Sequence, residues 1–383
     1  MENDGMDHLA QDKPLFTPGP LTTSLTVKQA MLRDLGSRDV EFITAVRELR
    51  DELLSVAGVS QEAGYEAIIM QGSGTFSVEA VIASTMPSRG KLLVVVNGAY
   101  GDRIVKIAKV HQIETVVQQY RENELPSLDA IDQALAEDDE IKMVVAVHCE
   151  TTSGIINPIE KIGQIVSKHG RSYFVDSMSA FGAVPLDFAA AHIDFLVSSA
   201  NKCIEGVPGF GFCICRREAL LATRGWSRTL SLDLLGQWEG LEKNGQFRFT
   251  PPTHTILAFR QALRELEQEG GVAGRAARYE ENYRTLLAGM RQLGFDEYVD
   301  PEIQGYIITS FRYPEDPNFQ FEKFYDLLNE SGFVIYPGKV SDADCFRIGN
   351  IGRIDKSDVE ALLEAISNVL ETMQVNPAVG AGN

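Results

Sequence analysis

From Tyr65 to Cys215 short apolar runs alternate with amphipathic stretches, and this rhythm restricts the fold more than any other feature of the chain. YEAIIM (65–70) reads as a strand, GSG (72–74) as a turn and TFSVEAVIASTM (75–86) as a helix. KLLVVV (91–96) is a second strand, followed by the turn NGAYG and a helix carrying Ile104, Val105, Ile107 and Ala108. KMVVAVH (142–148) and YFVD (173–176) are further strands, with a helix from Ile159 to His169 between them. The segment 192–215 holds two more apolar runs, one on each side of a single lysine, Lys202. Strands separated by helices need right-handed crossovers, so the predicted α/β sheet is mainly parallel and covered on both faces. Such sheets gather their ligands at the carboxyl ends of their strands. Here those ends carry GSG, NGAYG, HCETTSG, DSMSAFG and SSANK, five polar loops expected to converge on one edge.

The flanks organise around that unit. Residues 1–13 read as a disordered leader, and LFTPGPLTTS (15–24) must be extended because Pro18, Gly19 and Pro20 follow one another. Phe42, Val46, Leu49, Leu53 and Val56 then recur at helical spacing. FRFTPPTHT (247–255) is a Pro-broken loop leading into a helix from Ile256 to Leu266, ended by Gly270 and Gly271. Beyond it a smaller α+β unit is expected, with helices at 279–293 and 321–330 and strands at 306–311, 333–337 and 345–351. A last helix carries Val359, Leu362, Ile366 and Met373. The expected division is a leader and extended segment (1–25), a large domain (26–272), a small C-terminal domain (273–373) and a tail (374–383).

With 54 acidic against 35 basic residues the net charge is −19, which argues against nucleic acid or an anionic membrane as the main partner. The five cysteines lie mostly in or beside apolar runs, without the spacing of a zinc site, and read as buried thiols of a reducing compartment. No apolar run reaches membrane-spanning length and the N-terminus has no secretory pattern, so a cytoplasmic protein without a metal centre is expected.

Lys202 stands where a buried strand gives way to a tight loop. A lysine in a poorly solvated pocket loses its proton more readily, and a neutral amine can form a Schiff base. Asp176 ends another apolar strand, where a carboxylate is costly unless a cation or donor meets it. A lysine and an acid at the ends of neighbouring strands suit pyridoxal phosphate, whose aldehyde takes an amine and whose ring nitrogen takes an acidic partner. Gly72, Ser73, Gly74 and Thr75 open a helix directly after a strand, where free amides and the helix dipole hold a phosphate. Tyr100 is a candidate to stack on the ring, and Arg347, alternating with Phe346 and Ile348, is suited to grip an acidic substrate group. Each residue alone also fits an ordinary role. Lys202 could snorkel, Asp176 cap a loop, GSG form a turn, Tyr100 cover core, and Arg347 lie on an edge strand.

The combination resembles the fold-type-I, class V pyridoxal-phosphate aminotransferases. The resemblance is carried by FTPGPLTTS (16–24), QGSGTFSVEA (71–80), NGAYGDR (97–103), ETTSGIINPI (150–159) and VDSMSAFGAVPLD (175–187). It continues through SSANKCIEGVPGFGF (198–212), RTLSLD (228–233), FTPPTHT (249–255), VIYPGK (334–339) and CFRIGNIG (345–352). It implies a large domain with a seven-stranded, mainly parallel sheet and a small C-terminal α+β domain. Lys202 would join the cofactor aldehyde and Asp176 would pair with the ring nitrogen. Ser73, Gly74 and Thr75 would hold the phosphate, Tyr100 would stack on the ring, and Thr151, Thr152 or Ser153 would lie near the ring hydroxyl. Thr250 would reach the cofactor of a second subunit, implying a homodimer with shared sites, and Arg347 would bind each substrate's acidic group. Where the class often has a tyrosine three residues before that threonine, this chain has Phe247. The implied reaction is transamination of 2-aminoethylphosphonate with pyruvate, giving phosphonoacetaldehyde and L-alanine. An alanine– or serine–glyoxylate aminotransferase of the same fold is the alternative. A cysteine desulfurase would need a thiol on a mobile loop, for which Cys345 is the one candidate.

Overall fold

The computed structural model describes residues 12–336 and 343–376, so the expectations for 1–11, 337–339 and 377–383 lie outside the described residues. The chain opens with a short strand, β1 (Leu15–Phe16), and two helices, α1 (Leu25–Gln29) and α2 (Val40–Val56). Ser24 and Asp39 start these helices by accepting from Val27 N and Glu41 N. The stripe Phe42, Val46, Leu49 and Leu53 is buried along one face of α2.

The strand–helix alternation follows as β2 (Tyr65–Gln71), α3 (Gly74–Thr85), β3 (Lys91–Val96), α4 (Ala99–Val110), β4 (Glu114–Gln119), α5 (Leu128–Glu137) and β5 (Ile141–Val147). A hairpin of β6 (Cys149–Glu150) and β7 (Ile155–Ile156) leads to α6 (Ile159–Lys168), β8 (Ser172–Asp176), β9 (Phe195–Ser199) and β10 (Phe210–Arg216). Seven of these strands form one sheet in the order β2-β10-β9-β8-β5-β3-β4. Strand β10 runs antiparallel to both its neighbours, and every other pairing in the sheet is parallel. The expected mainly parallel α/β sheet is therefore present. Strand β4 escaped the sequence reading because ETVVQQ has only two strongly apolar residues. It lies at the sheet edge, where its side chains stay partly exposed.

Residues on both sheet faces, from Ile68 to Phe212, are almost fully buried. Burying one valine or leucine of this set is worth about 1.5–3 kcal/mol. The packing thus holds the register in which Asp176 stands level with Val147 on one side and Val197 on the other. That register fixes the strand ends, and with them the loops that follow.

The chain continues through α7 (Arg217–Ala222), α8 (Leu234–Asn244), α9 (Thr253–Gln268) and α10 (Gly271–Gln292). The helix expected at 279–293 starts earlier, at Gly271: Gly270 and Gly271, both at positive φ, turn the corner and the next helix begins at once. Its first two turns, GVAGRAAR, carry no large apolar period and so gave no helical signal. Strand β11 (Ile308–Arg312), helix α11 (Phe321–Glu330), the short β12 (Val334–Ile335), β13 (Cys345–Gly349) and α12 (Lys356–Met373) complete the chain. Strands β11 and β13 pair antiparallel, while β12 takes β1 as a parallel partner, Leu15 facing Val334 and Phe16 facing Ile335. Phe16 thereby enters a second apolar cluster with Phe295, Phe311, Phe346 and Leu362, in which the Phe295 and Phe346 rings meet edge to face at 5.5 Å. The segment expected only to be extended is bound into the C-terminal part of the molecule. All five cysteines are buried and free. Among the described residues no helix is long and apolar enough to cross a membrane.

Gly349 shows how closely the N-terminal arm is held. A Cβ at this position would lie 2.5 Å from the Thr17 carbonyl carbon and oxygen, which are backbone and cannot rotate away. Gly349→Ala is expected to destabilise the protein by about 1–3 kcal/mol and to speed proteolysis within residues 12–24. Thermal melting and limited digestion would check both effects. Unchanged digestion would mean that the arm is not held there.

Candidate active site

Lys202 lies three residues beyond the end of β9, in the turn that reverses the chain into β10. Glu205 N donates to Lys202 O at 2.7 Å and Gly206 N to Ala200 O at 2.9 Å, so the turn is tight. The lysine side chain is 9% exposed, and its Nζ donates to Pro18 O at 2.6 Å, with Gly19 O at 3.5 Å. The arm thus forms a wall of the lysine pocket. Gly19 is required in it: its φ is +104°, and a Cβ there would meet Asn201 O at 2.7 Å and Lys202 Cδ at 2.8 Å. Burial disfavours the ammonium and brings the Lys202 pKa down to about 8.

Asp176 ends β8 and is 4% exposed; its Oδ1 accepts from Met178 N at 3.0 Å. Burial outweighs this bond and the nearby positive charges of Arg103 and Lys202, and raises the carboxyl to about 6. The same apolar surroundings push the acid up and the base down, so each readily exchanges a proton near neutrality.

These two groups line a cleft of about 160 Å³ together with Ser73, Gly74, Thr75 and Tyr100. Ser73 is the N-cap of α3, yet its hydroxyl makes no capping bond, so hydroxyl and first-turn amides face the cleft together. Gly74 packs so closely on Met178 that a Cβ would lie 2.2 Å from its sulfur. Tyr100, in the first turn of α4, has its hydroxyl towards the Thr151 side chain. Arg347 is 7% exposed on β13; its Nη1 donates to Thr151 O at 2.6 Å, and its guanidinium lies 4.6 Å from the Tyr336 ring centroid. The C-terminal part thereby places Arg347 against Thr151 and near Tyr100, outside the residues that line the cleft.

Of the three hydroxyl residues left open by the sequence, Thr152 is committed elsewhere. Its Oγ1 donates to Glu150 Oε1 at 2.6 Å and accepts from Ala99 N at 3.0 Å. The Ser153 hydroxyl is buried without a hydrogen-bond partner among the described residues, while its carbonyl accepts from Ser310 Oγ at 2.8 Å. Thr151, Arg347 and Thr250 are not among the residues that line the cleft, and of these Thr250 lies apart from the other two. It sits exposed between α8 and α9, its carbonyl 3.3 Å from Gln71 Nε2.

The sequence reading missed Arg103, Ser199, Asn201 and Met178, all of which line the cleft. Arg103 Nη1 donates to Thr75 Oγ1 at 3.2 Å, and its guanidinium lies 4.8 Å from the Tyr100 ring centroid. Its position one helical turn after Tyr100 was the available signal, since residues three apart share a helix face.

An amine of lowered pKa, an acid of raised pKa and an anion cradle at a helix N-terminus are the donor set expected for a phosphorylated aldehyde cofactor with a basic ring nitrogen. Comparison with known proteins agrees. The family model described as aminotransferase class-V matches residues 23–379. A 2-aminoethylphosphonate–pyruvate transaminase of Salmonella heidelberg is 51% identical over 362 residues, 94% of this chain and 98% of that protein. The Salmonella typhimurium protein of the same description is 51% identical over 358 residues, covering 93% and 97%. Among solved structures, alanine–glyoxylate aminotransferase from Nostoc superposes with a TM-score of 0.85 at 26% identity, covering 97% of each chain. Pyridoxamine–pyruvate aminotransferase from Mesorhizobium loti gives 0.87 at 24% identity, covering 97% of this chain and 95% of the other, a likeness of fold. The matched length and the identity place this chain in the class-V aminotransferase family.

Proposed function

We propose that the protein transfers the amino group of 2-aminoethylphosphonate to pyruvate, forming phosphonoacetaldehyde and L-alanine, with pyridoxal 5′-phosphate as cofactor. The observation that carries this reading is 51% identity, over 94% of the chain, to a transaminase described by that pair of substrates. The cofactor supplies an aldehyde carbon that accepts the amino group and a ring that withdraws electrons from the substrate carbon.

The chain's own residues would do the rest. Lys202 Nζ, with a pKa of about 8, is basic enough to take the proton from the amine-bearing carbon and acidic enough to give it back. Asp176, buried at the end of β8, would hold a proton on the ring nitrogen. Ser73, Gly74 and Thr75 would bind the phosphate, Tyr100 would pack against the ring, and Thr151 would lie near its hydroxyl. Arg347, in its apolar strand, would bind the phosphonate of one substrate and the carboxylate of the other in turn. The exposure of Thr250 supports a homodimer in which the partner subunit's Thr250 completes the phosphate site.

Five measurements test this reading. Because the Lys202 ammonium must lose its proton before attacking an aldehyde, cofactor uptake by the apoprotein should quicken as pH rises and level off above about 8. Lys202→Ala should abolish the bound-cofactor absorbance and lower turnover by roughly a thousandfold or more. Normal activity in that variant would remove the lysine from the mechanism.

In a half-reaction without keto acid, 2-aminoethylphosphonate should convert the bound cofactor to its amine form, and pyruvate but not glyoxylate should restore it. Conversion by alanine or serine but not by the phosphonate would move the function to the glyoxylate branch.

Sedimentation should give twice the chain mass, and Thr250→Ala should weaken cofactor retention by about tenfold, as loss of one charge-assisted hydrogen bond does. A monomer with full cofactor affinity would remove Thr250 from the site.

A further inference from the structure

Glu150 lies where the loop after β5 passes beneath the first turn of α4, and none of its side chain reaches solvent. Its hydrogen-bond partners are uncharged: Oε1 accepts from Thr152 Oγ1 at 2.6 Å and Thr152 N at 3.2 Å, and Oε2 from Gly101 N at 3.4 Å. Thr152 Oγ1 in turn accepts from Ala99 N at 3.0 Å. The pair therefore satisfies two first-turn amides of α4, Ala99 N and Gly101 N, on either side of Tyr100. Five other helices are capped from the N-cap itself, by Ser24, Asp39, Ser127, Asp233 and Asp355. At α4 the N-cap is Gly98, and a Cβ there would lie 2.3 Å from Glu150 Cγ and Cδ. The cap has been moved to a residue 49 positions away, and this joins the loop that presents Tyr100 to the loop that presents Thr151.

We infer that Glu150 is a positioning residue of the amino-transfer site: its carboxylate clamps the first turn of α4 and the following threonines, holding Tyr100 and Thr151 in place for the cofactor ring. This rests on the function proposed above. A buried carboxylate whose hydrogen-bond donors are neutral is an expensive cap, since a serine would satisfy an amide without burying charge. What the carboxylate adds is reach. Two acceptor oxygens span donors on two loops, and Arg347 is tied to the same segment through Thr151 O.

The charge state supplies the discriminating measurement. The titratable and charged groups facing Glu150 are Tyr100 from α4, Asp176 from β8, Arg347 from β13 and Cys149 on its own strand. Burial raises the Glu150 carboxyl to about 7. A proton on either oxygen turns an acceptor into a donor facing a donor, so the clamp loosens as pH falls through that value. The sign for stability is opposite. With its folded pKa above the unfolded one, Glu150 favours the fold when protonated, and that contribution is lost as pH rises through about 7. A carboxylate kept only for stability would not behave this way.

The test compares wild-type and Glu150→Gln holoenzymes. The wild-type spectral response to 2-aminoethylphosphonate is the control: its absence would sink the proposed function and say nothing of Glu150. Given that response, kcat/KM of the variant should fall about tenfold or more. The variant's profile should lack the acid limb near pH 7, so that this limb stands out in the difference between the two pH profiles, in which substrate ionisation cancels. The dichroism of the bound cofactor should change, and melting at pH 6 should stay within a degree or two of wild type. Two outcomes would overturn the inference: an unchanged pH profile, or activity and melting temperature lost together at every pH.

Discussion

Lys202 brings its amine into a pocket where the groups it touches are two backbone carbonyls of the N-terminal arm. Burying an ammonium costs several kcal/mol, and carbonyl contacts offset only part of that cost. The proton is held loosely as a result, and the surrounding structure is arranged to keep it so. The turn from β9 into β10 fixes the lysine backbone through Glu205 N and Gly206 N. The arm stays over the side chain because β1 pairs with β12 and Phe16 is locked into the C-terminal cluster. Release of the arm would let water reach the amine and return it to an ordinary lysine.

Asp176 is the complementary case. The same low-polarity edge that destabilises a positive amine destabilises a negative carboxylate, so one environment moves the two groups in opposite directions towards neutrality. A ring carrying a protonatable nitrogen at one end and an aldehyde at the other would relieve both at once. That is why the pair fits this class of cofactor better than either residue alone does. The net charge of −19 sharpens the point, because anionic substrates must be met by local donors. Among the described residues the α3 N-terminus, Arg103 and Arg347 are such donors.

The central sheet was legible in the sequence because its strands are buried on both faces and read as unbroken apolar runs, as in KLLVVV. Edge strand β4, half-exposed, lacked that pattern and was missed. Lys202 and Asp176 were legible for a related reason: an isolated charge at the end of an apolar strand stands out. Arg103 was not, since a helix-surface arginine looks like any solvated one until the helix is placed beside Thr75. Glu150 was hidden differently. Nothing in ETTSG indicates that the glutamate is fully buried, and its capping partner is 49 residues away. Non-local partners leave no spacing to read. The pairing of β1 with β12, across more than three hundred residues, is the same kind of fact.

A second non-local junction ties the lysine turn to the strand that carries Arg347. Arg275 Nη1 donates to Cys203 O, next to Lys202. Buried Glu205 accepts from Tyr279 OH at 2.6 Å and Arg278 Nη2 at 2.7 Å. Tyr279 OH then accepts from Gly352 N at 3.1 Å, and Arg278 Nη1 donates to Gly352 O at 2.7 Å. Gly352 lies five residues past Arg347. In three steps the chain of contacts runs from the lysine turn, through α10, to the segment leaving the strand that carries Arg347. It is built from buried charges, and removing one partner of such a set typically costs about 3–5 kcal/mol. An apolar contact could hold α10 against the lysine turn equally firmly, but it would tolerate sliding by an ångström. Hydrogen bonds at 2.6–2.7 Å do not. Lys202 and Arg347, 145 positions apart, are thereby held at a fixed separation by directional bonds among buried polar groups, where apolar packing would tolerate sliding.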